Sequence, residues 1–339
     1  MPKSSGSGII TLMLTRLKAK AQKLEWLQFL GHDRVPGFTL DITPEELQVE
    51  LAKIPAPLFL GRYTEDEIRV KLERNNILPE LRRMGFEPVI LKVETDGLVE
   101  HRILVHTGEV SYNKVILELK LREGVFKVRE TISQIHSELQ SILRSDTFPM
   151  LWIDWLLLQN PRAQFSAERP SLPDQKYPGL GLLNLVVPLI GEFAQETHKQ
   201  AVLDIPEHFH GALFYSKWMK FFNPEMQGKM QAILRDLAGY PVALLSWAIR
   251  VGGLLNISGN VYEDWKPGEQ IYPLSQELED YFNSAIYSEL MQRAFEENHY
   301  QLDLLRVKSR ARFLEPEERS SLEAILQTWD KDNSSVKSY

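Results

Sequence analysis

Met150-Leu151-Trp152-Ile153-Asp154-Trp155-Leu156-Leu157-Leu158 is an apolar run interrupted by a single charge. Its length, and the prolines that flank it at Pro149 and Pro161, favour a buried central strand over a helix. Asp154 would be costly to bury unpaired. It is therefore either a general base or one half of an inward salt bridge.

Upstream of this run the apolar period is two. Val89, Leu91 and Val93 alternate with Ile90, Lys92 and Glu94, and Val115, Leu117, Leu119 and Leu121 alternate with Ile116, Glu118, Lys120 and Arg122. Ile103 and Val105 suggest a strand between them, so residues 87–128 read as a meander of three or four antiparallel strands. A helix is expected over about 131–144. Further upstream, Thr64-Glu65-Asp66-Glu67 is a capping box that opens a helix running to Gly85. Thr43-Pro44-Glu45-Glu46 carries the same signature, and residues 9–31 look helical.

Downstream, residues 159–179 hold four prolines and read as a long ordered arm. A helix at 180–198, a short strand at 201–205 and a helix at 207–220 follow. Asn223-Pro224 opens another helix, a further one spans about 241–251, and a glycine turn at Gly252-Gly253 is followed by an irregular stretch with Trp265-Lys266-Pro267-Gly268 that lasts until the next helix. Helices are expected near 275–298 and 315–330. The order predicts a mixed α/β protein with a largely antiparallel central sheet flanked by helices. It divides into an N-terminal helical region (1–84), a core (85–222) and a C-terminal, mostly helical region (223–339).

Composition narrows the function. The chain of 339 residues is 43% hydrophobic and 25% charged, a globular balance able to build a sizeable core. Its net charge of −7 gives no broad basic face for duplex nucleic acid. The absence of cysteine excludes disulfides, thiolate metal sites and a cysteine nucleophile, and fits a reducing compartment. Apolar runs fall short of the roughly 18–20 residues that span a bilayer. Near the N-terminus Arg16, Lys18, Lys20 and Lys23 follow the apolar Ile9–Leu14 stretch, the reverse of a secretory signal. A transit peptide and a flexible leader with a surface helix both remain open there. The expectation is a soluble, cytoplasmic protein with no membrane or nucleic-acid partner.

Chemistry concentrates after the central strand. In Gln175-Lys176-Tyr177-Pro178-Gly179-Leu180-Gly181-Leu182, the glycines let the backbone turn several N–H groups towards one point at the start of a helix. Such a nest suits a pyrophosphate, although Pro178 removes one donor and a plain Pro-Gly turn looks similar. After the next strand comes His208-Phe209-His210-Gly211-Ala212-Leu213-Phe214-Tyr215-Ser216-Lys217.

Together these segments resemble the GNAT N-acetyltransferase superfamily. Lys176-x-x-Gly179-x-Gly181 is similar to its Arg/Gln-x-x-Gly-x-Gly/Ala acyl-CoA loop. His208, Gly211, Phe214, Tyr215 and Lys217 fall on its Asn-x-x-Ala-x-x-Phe-Tyr-x-Lys helix. Lys176 stands for the usual arginine or glutamine, His208 for asparagine, and Met219-Lys220 for a glycine and an aromatic. The likeness spans about 85–222, with its motifs in 150–222. The arm has no counterpart in a minimal domain of that family.

The resemblance implies an N-acyltransferase that uses acetyl-CoA or another acyl-CoA as co-substrate and a small-molecule or protein amine as acceptor. The pyrophosphate would lie on the N–H groups of Gly179, Leu180, Gly181 and Leu182, with Lys176 beside it. The pantetheine arm would pair with the splayed strand ending near Leu158. Tyr215 would protonate the leaving thiolate. A catalytically inactive ligand- or protein-binding module of the same fold is the alternative, and an ordinary α/β interaction protein is a third reading.

The residues themselves leave choices open. Tyr215 lies among Phe214, Trp218, Phe221 and Phe222 and is equally readable as a core tyrosine. Glu207 and His208 could assist proton removal. Glu207, His208 and His210 also suggest a metal pair, but residues two apart on a helix do not share a face, so no metal is expected. Lys308, Arg310 and Arg312 read as a solvated face, and His101 and His106 fall on opposite strand faces.

Overall fold

The computed structural model describes residues 58–96, 100–111, 114–128, 139 and 141–336. The readings at 9–31 and 43–46, and most of the helix at 131–144, lie outside those residues. The described residues from Leu58 onward belong to one compact unit. It is mixed α/β, with a seven-stranded, mostly antiparallel sheet, a small three-stranded sheet and ten α-helices among the described residues.

The chain enters through α1 (Glu65–Arg74) and α2 (Ile77–Arg83). The capping box is formed: Glu67 N–H donates to Thr64 Oγ1 at 3.2 Å, and Thr64 N–H to the Glu67 carboxylate at 2.8 Å. Sequence periodicity carried this helix unbroken to Gly85, whereas the structure breaks it at Asn75-Asn76. Asn76 adopts a left-handed φ of 60°, which asparagine tolerates, and the turn rotates α2 so that Ile77, Leu78 and Leu81 are buried like Ile68 and Leu72.

The expected meander is three strands, β1 (Val89–Asp96), β2 (Glu100–Thr107) and β3 (Val115–Lys127), continued by the central strand β4 (Thr147–Leu158). One face carries Leu91, Ile103, Val105, Leu117, Leu119 and Leu121, packed by α1, α2 and α3 (Leu183–Glu196). The opposite face alternates Lys92, Glu94, Arg102, Glu118 and Lys120, linked by ion pairs such as Arg102–Glu118 at 3.2 Å.

The β4 strand is not uniformly buried, as its apolar run had suggested. Lys120 pairs with Trp155 while Leu121 pairs with Ile153, so Asp154 is the extra residue of a β-bulge. Met150, Leu151 and Ile153 are buried, whereas Asp154 and Trp155 are exposed. Because of the inserted residue, Ile153 and Leu156 both pack on the helix-covered face although three positions apart.

After α3 the chain forms β5 (Ala201–Asp204), the short α4 (Phe209–Tyr215) and β6 (Lys220–Phe221). Next come α5 (Pro224–Asp236, capped by Asn223), α6 (Val242–Arg250), β7 (Leu254–Asn256), β8 (Val261–Tyr262) and β9 (Gln270–Pro273). The stretch that reads as irregular therefore holds three strands, each too short for alternation to be visible. Of these, β9 enters the large sheet between β5 and β6, giving the order β1-β2-β3-β4-β5-β9-β6. The expected 275–298 helix is two, α7 (Gln276–Phe282) and α8 (Ala285–Glu297), restarted by a Ser284 cap. Then follow β10 (Tyr300–Leu302), α9 (Leu304–Arg310) and α10 (Pro316–Val336).

Two further clusters complete the core. Phe126, Phe148, Met150, Ala201 and Leu203 meet Tyr281 and Tyr287 of α7 and α8. The two buried phenols donate to Phe222 O and Phe221 O, each at 2.7 Å, which removes the cost of an unpaired polar group. Trp247 of α6 centres the other cluster, among α4, α5, α9 and α10. No helix among the described residues is long and apolar enough to cross a membrane.

Candidate functional site

The site follows from where the sheet stops being a sheet. Strands β4 and β5 run parallel and pair at Met150–Ala201, Leu151–Val202 and Trp152–Leu203, and no further. β5 ends at Asp204, so from Ile153 to Leu157 that edge of β4 has no strand partner among the described residues. Pairing resumes only where Gln159 bridges Gly179. This open edge borders a groove of about 1710 Å³, lined by Asp154 to Leu158. That exceeds the ~300–1,000 Å³ of ordinary small-molecule sites, leaving room for a large cofactor and a second reactant together.

One end of the groove is the start of α3. Leu182 is the cap residue and its apolar side chain caps nothing. The N–H groups of Gly181, Leu182 and Leu183 find no acceptor among the described residues. Gly181 has a φ of +73° and is exposed, with open space where a Cβ would stand. Orphan amides at the positive end of a 14-residue helix attract anions. Three cations surround them: Lys176 is exposed above the Tyr177 ring, Arg169 donates to Gly179 O at 2.8 Å, and Lys217 reaches Asn184 at 3.0 Å. The expected cradle is corrected at one position. Leu180 N–H is committed to Leu158 O at 3.2 Å and its side chain is buried in the core, so it faces away from the groove.

The other end carries titratable groups. Tyr215, at the end of α4, lines the groove, and its hydroxyl makes no hydrogen bond to the described residues yet is not sealed off. Desolvation, with the Asp204 charge adding to it, raises its pKa well above the ordinary 10. The phenol is therefore a neutral donor at neutral pH. Asp204, at the end of β5 and behind the groove lining, is 8% exposed, and burial pushes its carboxyl up to about 7.

His208 precedes α4 in extended backbone (φ −123°, ψ 149°) and is not part of the helix. The helical argument against a shared face therefore fails: the His208 and His210 rings stack at 5.3 Å with 10° between planes. Burial lowers His210 to about 4, keeping it neutral, and its Nδ1 is buried without a partner. His208 Nε2 lies 2.6 Å from Asp174 Oδ2. Among the described residues no group of three or more acidic or histidine side chains could hold a metal ion.

The sequence-derived residues Leu158, Lys176, Gly179, Gly181, Leu182, Asp154, Glu207, His208 and Tyr215 all line this groove, and Leu180 does not. Asp154 projects from the bulge with its carboxylate 3.1–3.2 Å from the Arg122 guanidinium, which itself stacks over Trp152 at 4.5 Å. The salt bridge anticipated for Asp154 exists, but it points to solvent.

Sequence reasoning missed Asp174, Asp204 and the arm. Asp174 lies in a proline-rich segment without periodicity, and only its left-handed φ of 59° marks it. The arm is pinned along its length. Arg162 donates to Thr107 Oγ1 at 3.1 Å, Trp247 Nε1 to Ser171 O at 2.8 Å, and Asn160 N–H to Pro178 O at 2.7 Å. It forms one wall of the groove through Phe165, Leu172 and Tyr177.

Comparison with protein-family profiles, with curated proteins and with solved structures found no match. The site therefore stands on its own geometry and on the motif resemblance.

Proposed function

We propose that this protein is an acyl-CoA-dependent N-acyltransferase, acting on an amine by direct attack on the thioester. The observation that carries the reading is the open edge of β4 beyond the end of β5, beside the uncapped amides of α3. An acyl-CoA fits that arrangement part by part. Its pyrophosphate meets the N–H groups of Gly181, Leu182 and Leu183 with Lys176, Arg169 and Lys217 close by. Its amide-bearing pantetheine satisfies the unpaired edge of β4 between Ile153 and Leu157, which otherwise depends on water. Its thioester then lies towards Tyr215.

Holding thioester and amine in line supplies much of the rate, because a bimolecular encounter becomes a local one. As the C–S bond breaks, Tyr215 gives its proton to the sulfur. The desolvation that raises the phenol's pKa penalises a thiolate in the same place, so donor and acceptor stay matched. No cysteine is needed on this route, and the chain has none.

The test is a thermal shift with acetyl-CoA, followed by thiol release against a panel of amines. A ligand at 100 times its Kd stabilises by about 2.7 kcal/mol, a readily measured shift. It should weaken with salt, since the anion site is built from exposed cations. Binding without thiol release would make the chain a ligand-binding module of the same fold. No shift with any acyl-CoA ends the proposal.

A further inference from the structure

Asp174 belongs to none of the motifs above, yet it holds the one groove imidazole that is placed to act. We propose that Asp174 and His208 form a carboxylate–imidazole dyad, in which His208 accepts the proton of the attacking amine and Asp174 orients it. The inference rests on the transfer reading above and names the proton acceptor that reading lacks.

Three contacts fix the His208 ring. Its Nε2 edge lies against Asp174 Oδ2 at 2.6 Å, and its face stacks on His210. Its backbone is held by the first bond of α4, from Ala212 N–H to His208 O at 3.2 Å. What remains is Nδ1, which has no partner among the described residues and is not sealed from the groove. A neutral imidazole carries one N–H, and a carboxylate can only accept. Asp174 therefore keeps that hydrogen on Nε2 and leaves the Nδ1 lone pair free.

Asp174 is itself built for the position. Its left-handed φ of 59° aims it back at α4. The turn around it is closed by Gln175 N–H to Leu172 O and by Leu172 N–H to Gln175 Oε1, both 3.1 Å, and Trp247 anchors Ser171 behind it. Aspartate, like asparagine, tolerates that left-handed conformation as a single residue. The neighbouring His210 stays neutral, so an imidazolium formed on His208 meets a carboxylate on one side and no second cation on the other.

The step balances. The amine nitrogen bonds to the thioester carbonyl carbon and its proton passes to Nδ1 of His208. The C–S bond breaks with its electron pair on sulfur, which takes the Tyr215 proton. The imidazolium then returns a proton to the phenolate through water in the groove. His208 is the catalytic residue in this scheme and Asp174 a positioning residue.

Two readouts test it. In ¹⁵N-histidine-labelled protein, His208 should be the Nε2–H tautomer. Asp174→Asn, whose amide can donate, should move it towards Nδ1–H. An unchanged tautomer overturns the dyad. With acetyl-CoA and hydroxylamine as reactants, Asp174→Asn should lower kcat at least 30-fold while acetyl-CoA affinity stays within twofold, and Asp174→Glu should recover part of the loss. His208→Gln should fall as far, and the double variant no further. Wild-type turnover that survives Asp174→Asn sinks the dyad alone. Wild-type protein that neither binds acetyl-CoA nor releases thiol sinks the transfer reading and the dyad with it.

Discussion

Replacing Asp204 by asparagine should make the protein more stable at alkaline pH than the wild type, and the effect can be sized. Asp204 ends β5, opposite Gln270 of β9, and is 8% exposed. Burial moves its carboxyl from 3.8 to about 7, the Glu207 charge adds to the rise, and Ile205 N–H opposes it. At 1.36 kcal/mol for each tenfold change in proton affinity, that difference amounts to about 4 kcal/mol. The sign follows from the folded value being the higher one. Between 3.8 and about 7 the folded state holds a proton that the unfolded chain has released. The stability this group contributes is complete below 3.8 and is withdrawn as pH rises through 7. Asparagine reproduces the neutral carboxyl at every pH. Wild type and Asp204→Asn should therefore converge in acid and separate in base, with roughly 2–3 kcal/mol of the difference developing between pH 5 and 8. For a domain of this size that is roughly 5–10 °C in melting temperature. Urea and thermal unfolding at pH 5, 6.5 and 8 measure it, and taking the difference between the two proteins cancels the other titrating groups. Parallel curves would show Asp204 ionised throughout and would remove the argument that a dry pocket surrounds Tyr215.

Two other outcomes follow from single contacts. Lys71 holds Glu196 at 2.7 Å and the Tyr63 hydroxyl donates to it at 2.5 Å, lowering its carboxyl to about 2. Glu196→Gln should cost ~1–2 kcal/mol at pH 7, trimmed by the carboxyl's one-third exposure. This stability is present above 4.5 and lost as pH falls through about 2, so a loss in urea stability as large at pH 3 as at pH 7 would refute it. Trp247→Phe removes the buried bond to Ser171 O and should cost ~1–3 kcal/mol. It should also free the arm, so trypsin should cut faster after Lys176 than in wild type, and equal rates would mean the arm is held elsewhere.

Much of the fold was legible because its signals are local. The capping box at Thr64, the alternation of β1 and β3 and the proline-bounded run of β4 each report a structure made by neighbouring residues. The failures have non-local causes. One inserted residue at Asp154 turns half of a buried strand outward, and nothing in an apolar run announces a bulge. Strands β7, β8 and β9 hold two to four residues each and form only because partners distant in sequence are waiting for them. Helix α4 spans seven residues where periodicity offered fourteen, which places His208 outside it and lets its ring meet His210 and Asp174. The sharp turn at Gly181 was readable from glycine spacing, because backbone freedom is a property of the residue. The Asp174–His208 contact was not, because it joins an arm without periodicity to a residue 34 positions later, just ahead of α4.

The brevity of β5 also explains why the chain returns to the sheet after α6. A four-residue strand with three parallel pairs to β4 has little else to hold it. Here every residue of β5 is paired on the far side by β9, from Ala201–Pro273 to Asp204–Gln270, while β4 is paired on its far side by β3 as far as Leu158. Beyond the three parallel pairs at Met150–Trp152, β5 ends and β4 runs on with β3 as its brace. Gly191 of α3 packs against the Tyr272 ring of β9, with no room there for a Cβ, so the helix that presents the amides is seated on the same returning strand. The C-terminal region is thus part of the site's foundation. It anchors the short β5 from its far side, and past the end of β5 the edge of β4 offers a ligand unpaired main chain.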